Sequence, residues 1–217
     1  MQGTITAIDE QKRRKGRVNV CLDGKYAFSL QAGLAARLRP GSFLSQEEAE
    51  GLLRQDHLAR VYRKALDLLA YRPRSRAEMK RYLSRKGVNA EIREEVLERL
   101  TQGGLLDDLA FARYWVENRE RFRPRGLAML RSELRSKGVE DEVISQVLAE
   151  VNEVESARQM LSRQAAKYAH LEDKAFREKM TNFLRRRGFP YPVIREVVGL
   201  HLEERAQRDL PSTPERR

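Results

Sequence analysis

The feature that most constrains this chain is an internal repeat of about 50 residues. Residues 72–100 and 123–151 align at a constant offset of 51, and both begin with Arg-Pro-Arg. The alignment places Gly87 on Gly138, and a further offset of 50 leads to Gly188 in a third copy. A period of this length is typical of supersecondary units stacked in tandem. The sequence therefore predicts a repeat array rather than one large core.

Each copy has the signals of three short helices. Residues 75–78 have the spacing of a capping box, and Gly87 is placed to close that helix in a left-handed conformation. Apolar residues recur at helical spacing through 92–100 and form the stripe of a second helix. Asp107 and Asp108 then precede a third helical segment. No such helix buries its apolar face without its neighbours.

Residues before the array follow a different pattern. Apolar residues alternate with a period of two, and the Asp23-Gly24 pair interrupts them with a hairpin signal. This pattern predicts short strands over about 3–9, 16–22 and 25–30. The predicted fold is mostly α, with three tandem three-helix repeats after a small N-terminal β-meander.

The same signals set the expected domain boundaries. Pro40-Gly41 ends a short helix, and Ser45 opens a capping box before the next one. The expected order is a β-meander at 1–30, short linking helices at 31–58, repeat 1 at 59–107, repeat 2 at 108–152, repeat 3 at 153–207 and a disordered tail at 208–217.

Composition narrows the class of protein. Lys and Arg number 43 against 32 Asp and Glu, for a net charge of +11, which suggests a polyanionic partner. The single cysteine rules out a disulfide framework and fits a reducing cytoplasm. No apolar run approaches the roughly 18 residues of a membrane span, and we expect no membrane association.

The charge is polarised along the chain in step with the repeat. Residues 60–90 carry a net +8 and residues 91–108 a net −4. Residues 119–137 carry +5, residues 138–155 carry −6, and residues 177–187 carry +4. The recurrent basic blocks favour a surface that binds a polyanion or an acidic protein. Pairing of basic with acidic helices inside the fold is the alternative.

The candidate binding residues are the cations of these blocks. The Arg-Pro-Arg also has a structural explanation, because proline stops a helix and arginine favours its negative end. The third copy has Asp173-Lys174-Ala175 at this place, so its candidates are fewer. The predicted binding residues are Arg72, Arg74, Arg76, Lys80, Arg81, Arg85, Lys86, Arg121, Arg123, Arg125, Arg131, Arg135, Lys137, Arg185, Arg186 and Arg187.

Nothing in the sequence calls for catalysis. The three histidines are far apart, no Cys/His pair has metal-ligand spacing, and phosphate-binding glycine loops are absent. The adjacent Asp107 and Asp108 are the only support for a nuclease or other enzyme, and such pairs are usually helix caps. We predict a non-enzymatic protein without catalytic residues, metal or cofactor.

The residues also match a known family. The chain resembles the RecX family of bacterial recombination regulators over roughly residues 55–200. The segments that carry this resemblance are Ala65-Leu66-Asp67-Leu68-Leu69, Arg72-Pro73-Arg74-Ser75, Lys86-Gly87, Gly104-Leu105-Leu106-Asp107-Asp108 with Phe111-Ala112, Arg125-Gly126, and Ser136-Lys137-Gly138-Val139.

The resemblance implies a partner and an activity. Family members bind in the groove of the filament that RecA forms on single-stranded DNA, and they typically inhibit its ATPase, strand exchange and co-protease activity. The expectation is a monomeric cytoplasmic regulator of recombination, DNA repair and the SOS response, with duplex DNA as a further partner. The alternative is a free-standing DNA-binding protein that uses helix–turn–helix-like repeats.

Overall fold

The structure, a computed structural model, describes residues 1–209. It confirms a mostly helical chain with a small N-terminal antiparallel sheet and three three-helix repeats. The tail predicted at 208–217 lies outside the described residues from 210 onward, while Arg208 and Asp209 belong to the last helix. The described elements are β1 (Gly3–Glu10), β2 (Arg17–Leu22), β3 (Lys25–Gln31), α1 (Ala32–Ala35), β4 (Phe43–Leu44), α2 (Gln46–Tyr71), α3 (Arg76–Arg85), α4 (Ala90–Gln102), α5 (Asp108–Phe122), α6 (Leu127–Lys137), α7 (Asp141–Leu148), α8 (Glu153–Ala165), a 3-10 turn (Ala166–Tyr168), α9 (Asp173–Arg186) and α10 (Tyr191–Asp209).

The chain divides into two compact units. Unit 1 comprises residues 1–72 and 83–102, and unit 2 comprises residues 73–82 and the chain from 103 onward. Helix α3 therefore contributes its first residues to unit 2 and its last residues to unit 1.

The sheet of unit 1 is a meander with strand order β3-β2-β1-β4. Asp23 and Gly24 both have positive φ, at 49° and 76°, as a tight hairpin turn requires. Strand β4 was missing from the sequence prediction, because two residues paired with Gly3 and Thr4 are too short to show a period. The apolar core beside the sheet consists of the buried residues Ile5, Val18, Val20, Leu22, Phe28, Leu30, Ala35, Leu44 and Ala49.

Helix α2 differs from the predicted short helices of residues 31–58. It begins at the Ser45 capping box, in which Ser45 and Glu48 satisfy each other's backbone N–H groups. It then continues for 26 residues through position 58 to Tyr71. The sequence contains no proline between Pro40 and Pro73, so nothing stops the helix earlier.

Unit 2 contains the whole of repeats 2 and 3. Helices α5, α6 and α7 enclose a core around Phe111, and α8, α9 and α10 enclose one around Phe176. Gly138 and Gly188 follow the middle helices α6 and α9 with φ of 79° and 86°. Glycine is needed there because a Cβ disfavours left-handed backbone. The sequence prediction of glycine-terminated middle helices is confirmed.

The stability of repeat 3 is expected to depend on pH through His201. Its ring stacks on Phe176 at 5.3 Å between centroids, and burial lowers its pKa below the usual 6.5. Arg205 and Arg208 lower that pKa further, while Glu204 opposes them. The folded protein thus binds fewer protons than the unfolded chain, so stability present above about pH 6.5 declines as the pH falls through the folded pKa.

The variant His201→Phe keeps the aromatic stack and cannot titrate. Thermal unfolding measured between pH 7.5 and 5 should therefore show a smaller loss of Tm for the variant than for the wild type. Parallel Tm curves for the two proteins would contradict this prediction.

Candidate functional site

Successive repeats meet at a recurring joint within unit 2. The Ser75 hydroxyl donates a hydrogen bond of 2.6 Å to the Lys137 carbonyl at the end of α6. One repeat later, the Gly126 N–H donates directly to the Arg187 carbonyl at 3.0 Å. Ser75 and Gly126 are equivalent in the repeat, and so are Lys137 and Arg187. Each joint therefore satisfies a carbonyl that the end of a helix leaves without an intrahelical partner.

Carboxylates at the next helix start complete these joints. Asp108 accepts a hydrogen bond from the Arg76 N–H at 2.8 Å, and Glu153 accepts one from the Leu127 N–H at 2.7 Å. Burial raises the pKa of the Asp108 carboxyl, and the hydrogen bond from the Arg76 N–H opposes this rise. Asp107 caps α5 by accepting from two N–H groups of its first turn. The enzyme hypothesis thus loses the two carboxylates on which it rested.

Two candidate cations form contacts with other residues of the fold. The Lys137 ammonium lies 2.9 Å from a Glu78 carboxylate oxygen and 4.7 Å from the centroid of the Trp115 ring. Arg81 donates to the Lys137 carbonyl at 3.3 Å and so contributes to the end of α6. These cations stabilise the joint between repeats 1 and 2.

Two further candidates on α6 pair with α7. Arg135 forms two hydrogen bonds with Asp141, at 2.7 and 3.0 Å, and this contact lowers the pKa of the Asp141 carboxyl. Arg131 donates to the Ser145 hydroxyl at 3.1 Å. These contacts match the alternative considered from the sequence, in which a basic helix pairs with the acidic helix that follows it.

A different arrangement occurs at the joint between repeats 2 and 3. Gly126 is buried against the backbone of Gly188, and this packing brings the second Arg-Pro-Arg next to the end of α9. Burial lowers the pKa of the Arg187 guanidinium, and the nearby charges of Arg125, Arg123 and Arg186 lower it further. We call Arg123, Arg125, Arg186 and Arg187 the arginine cluster. The charges of the other three members act unfavourably on Arg187, so the arginine cluster is a candidate site for an anion.

The members of the arginine cluster differ in exposure. Arg123 and Arg186 are exposed, while Arg125 is half-buried, with its Nε 4.0 Å from a Glu133 carboxylate oxygen. The Arg187 guanidinium lies over the Phe183 ring at 5.4 Å from its centroid. The exposed Arg123 and Arg186 are therefore the members that a large ligand reaches directly.

The remaining candidates do not belong to the arginine cluster. Arg121 places its guanidinium over the Phe122 ring, and Arg185 donates to the Asn182 side chain at 3.1 Å. In unit 1, Arg72 follows α2, while Arg85 and Lys86 are exposed at the end of α3. The first residues of α3 belong to unit 2, where Lys80 is exposed and Arg74 and Arg76 are half-buried. A binding role for all of these cations stays a prediction.

Comparison with known proteins identifies the family. Family models described as the first, second and third three-helix domains of RecX match residues 62–100, 107–148 and 152–198. A model for the N-terminal domain of regulatory protein RecX matches residues 3–39. The chain belongs to the RecX family. The resemblance noted in the sequence is confirmed and extends to the N-terminal sheet.

Relatives and solved structures agree with membership of the RecX family. Regulatory protein RecX of Bacillus licheniformis is 33% identical over 195 residues, which are 88% of this chain and 74% of that protein. RecX of Halalkalibacterium halodurans is 33% identical over 204 residues, covering 90% of this chain and 77% of that one. A crystal structure of regulatory protein RecX superposes with a TM-score of 0.70 at 27% identity, covering 91% of this chain and 98% of the other.

Another crystal structure supports the fold alone. RecX from Lactobacillus salivarius superposes with a TM-score of 0.61 at 22% identity, covering 69% of this chain and 99% of the other. Across residues 1–209, no helix has the length and apolar character needed to cross a membrane. The same residues contain no group of three or more His, Cys, Asp or Glu side chains that could hold a metal ion.

Proposed function

We propose that this protein is a non-catalytic, monomeric, cytoplasmic regulator that binds the filament of RecA on single-stranded DNA and inhibits RecA. The affected activities are ATP hydrolysis, strand exchange and co-protease function, and through them recombination, DNA repair and the SOS response. Family membership supports the regulatory role. The observation that carries the binding role is the arginine cluster, because it concentrates positive charge at one joint of the fold.

The arginine cluster suits a nucleoprotein filament for electrostatic reasons. Exposed Lys and Arg side chains that pair internally gain little from a further partner, as at Arg135. An anion bound between guanidinium groups that repel each other reduces their repulsion. Phosphate and carboxylate groups can each accept two hydrogen bonds from one arginine. A filament of RecA on DNA offers both groups.

A titration of RecA ATPase tests the proposal. Hydrolysis of ATP by the cognate RecA on circular single-stranded DNA should fall when the protein is added at near-stoichiometric or lower amounts. The double variant Arg123→Glu/Arg186→Glu should require about tenfold more protein for equal inhibition, because two attractive contacts with an anion become repulsive. Unchanged hydrolysis with the wild type, together with no co-sedimentation with filaments, would overturn the proposal.

A matched control separates the site from net charge. The variant Arg177→Glu/Arg195→Glu makes the same change of charge at two exposed positions on α9 and α10, outside the arginine cluster. It should inhibit RecA as the wild type does. Equal losses in the two double variants would show that inhibition follows total charge and not this site. Sequence-specific binding to naked duplex without an effect on RecA would instead favour the free-standing DNA-binding protein.

A further inference from the structure

An aromatic side chain stands exposed beside the arginine cluster. Phe122 is the last residue of α5, and 61% of its surface is accessible although phenylalanine is usually buried. Apolar residues earlier in α5 pack inward, since Phe111 and Val116 are both in the repeat core. Packing inside the protein therefore does not explain the aromatic ring at position 122.

The exposed ring recurs at the equivalent position of repeat 1. Tyr71 lies 51 residues earlier, directly before the first Arg-Pro-Arg, and 86% of its surface is accessible. Two aromatic residues thus stand exposed at the same place of two repeats, each followed by arginine. Scattered exposed apolar residues are ordinary, but repetition at one repeat position is a pattern that local chance does not explain.

Arginines flank Phe122 in the sequence, and one of them contacts its ring. The Arg121 guanidinium lies over the ring at 5.2 Å from its centroid. Arg123 follows as the residue that ends α5, fixed by its N–H bond to the Arg119 carbonyl at 2.7 Å. Arg123 also belongs to the arginine cluster, so an anion held there lies close to the ring along the chain.

We propose that Phe122 and the arginine cluster form a contact site for single-stranded nucleic acid, in which a nucleobase stacks on Phe122 and the adjoining phosphates bind the exposed Arg123 and Arg186. An aromatic platform beside a basic groove is the arrangement that binds single strands without sequence preference. This inference rests on the proposed function and assigns the arginine cluster to the DNA of the filament.

An acidic protein surface is the competing partner of the same site. The arginines would attract such a surface, but its binding would not depend on an exposed aromatic ring. A single-stranded nucleic acid uses both, because every base has a face that can stack and every linkage carries a negative charge. The ring therefore distinguishes the two partners, and the experiment is designed around it.

Two oligonucleotides of 20 nucleotides and equal charge test directly whether a base stacks on Phe122. One is oligo(dT), and the other has the same phosphate backbone without bases. Fluorescence anisotropy should show that the wild type prefers oligo(dT). Phe122→Leu should weaken oligo(dT) binding by about tenfold and leave binding to the abasic strand unchanged, because it removes one base stack only. Phe122→Tyr should retain the wild-type preference.

Phe43→Leu provides the matched control. Phe43 is 64% exposed on β4, outside unit 2, and its replacement should change neither affinity. If Phe122→Leu binds both strands as the wild type does, or loses affinity equally for both, the stacking inference fails. The inference also fails if Phe122→Leu loses RecA inhibition but keeps its oligo(dT) preference, since the partner of Phe122 is then RecA.

The RecA ATPase titration on the same preparations keeps the two proposals separate. If the wild type inhibits RecA and Phe122→Leu shows no selective loss of oligo(dT) binding, the stacking inference is overturned and the proposed function is supported. Absence of inhibition by the wild type overturns the proposed function, whatever the oligonucleotides show.

Discussion

Replacing Asp56 by Ala is expected to destabilise unit 1 by about 3–5 kcal/mol, the usual cost of removing one partner of a buried ion pair. The Asp56 side chain is 1% exposed. It accepts hydrogen bonds from Arg17 at 3.0 and 3.2 Å and from the Gln31 N–H at 2.9 Å, and Arg60 lies 2.9 Å away. One carboxylate thus joins α2 to strands β2 and β3.

The cost comes mainly from the partner that remains. The Arg17 side chain is only 16% exposed, so its charge would stay largely buried after Asp56 is removed. The double variant Asp56→Ala/Arg17→Met should therefore recover part of the lost stability. Hydrogen exchange of the sheet amides measures these differences within unit 1. A double variant no more stable than Asp56→Ala would contradict the explanation.

Asp141→Ala is the matched control for Asp56→Ala. Asp141 also forms two hydrogen bonds with one arginine, Arg135, but both side chains are more than half exposed. Water replaces the lost contacts there, so the variant should unfold almost as the wild type does. Comparable damage from the two replacements would show that burial does not set the cost.

The sequence predicted the features that depend on neighbouring residues. The Ser45 capping box, the Asp23-Gly24 turn and the left-handed Gly87 follow from residues within four positions of each other, and the structure contains all three. It did not predict strand β4 or the Arg17–Asp56 pair. Two residues are too few for a period, and 39 positions separate Arg17 from Asp56.

The candidate site was predictable only as a set of basic positions. The repeat indicated where arginine and lysine recur, but Lys137 and Arg187 are equivalent in sequence and have different surroundings. Lys137 forms an ion pair with Glu78, 59 positions away, whereas Arg187 lies within the electrostatic influence of other arginines. The exposure of Phe122 could not be predicted from the sequence either, because the sequence does not show at which residue α5 stops packing against the core of the repeat.

Replacing Gly126 by Ala is expected to destabilise unit 2 by about 3 kcal/mol, at the upper end of the usual cost of overpacking. A Cβ at Gly126 would overlap the carbonyl of Gly188 and crowd the Phe189 N–H. These are backbone atoms, which cannot rotate away as a side chain can. The conformation of Gly126 itself is ordinary, with φ of −65°, so the cost arises from contact and not from backbone strain.

Gly199→Ala gives the opposite expectation for the same chemical change. Gly199 lies inside α10, and a Cβ there meets no atom within 4 Å. Alanine in a helix interior is favoured over glycine by about 0.5–1 kcal/mol, so this variant should be more stable than the wild type. Urea unfolding followed by circular dichroism compares the two variants. Similar midpoints for both would contradict the steric explanation.

The equivalent joint of repeat 1 suggests how the damage at Gly126 can be reduced. Ser75 occupies that position and bridges to the Lys137 carbonyl through its hydroxyl. Gly126→Ser adds the same Cβ as alanine, but its hydroxyl can donate to the Arg187 carbonyl once repeat 3 shifts outward to admit it. The serine variant should therefore unfold at a higher urea concentration than Gly126→Ala and at a lower one than the wild type.

Because the arginine cluster is assembled across this joint, both variants should also inhibit RecA less than Gly199→Ala does. Full inhibition by Gly126→Ala would show that binding does not require the joint.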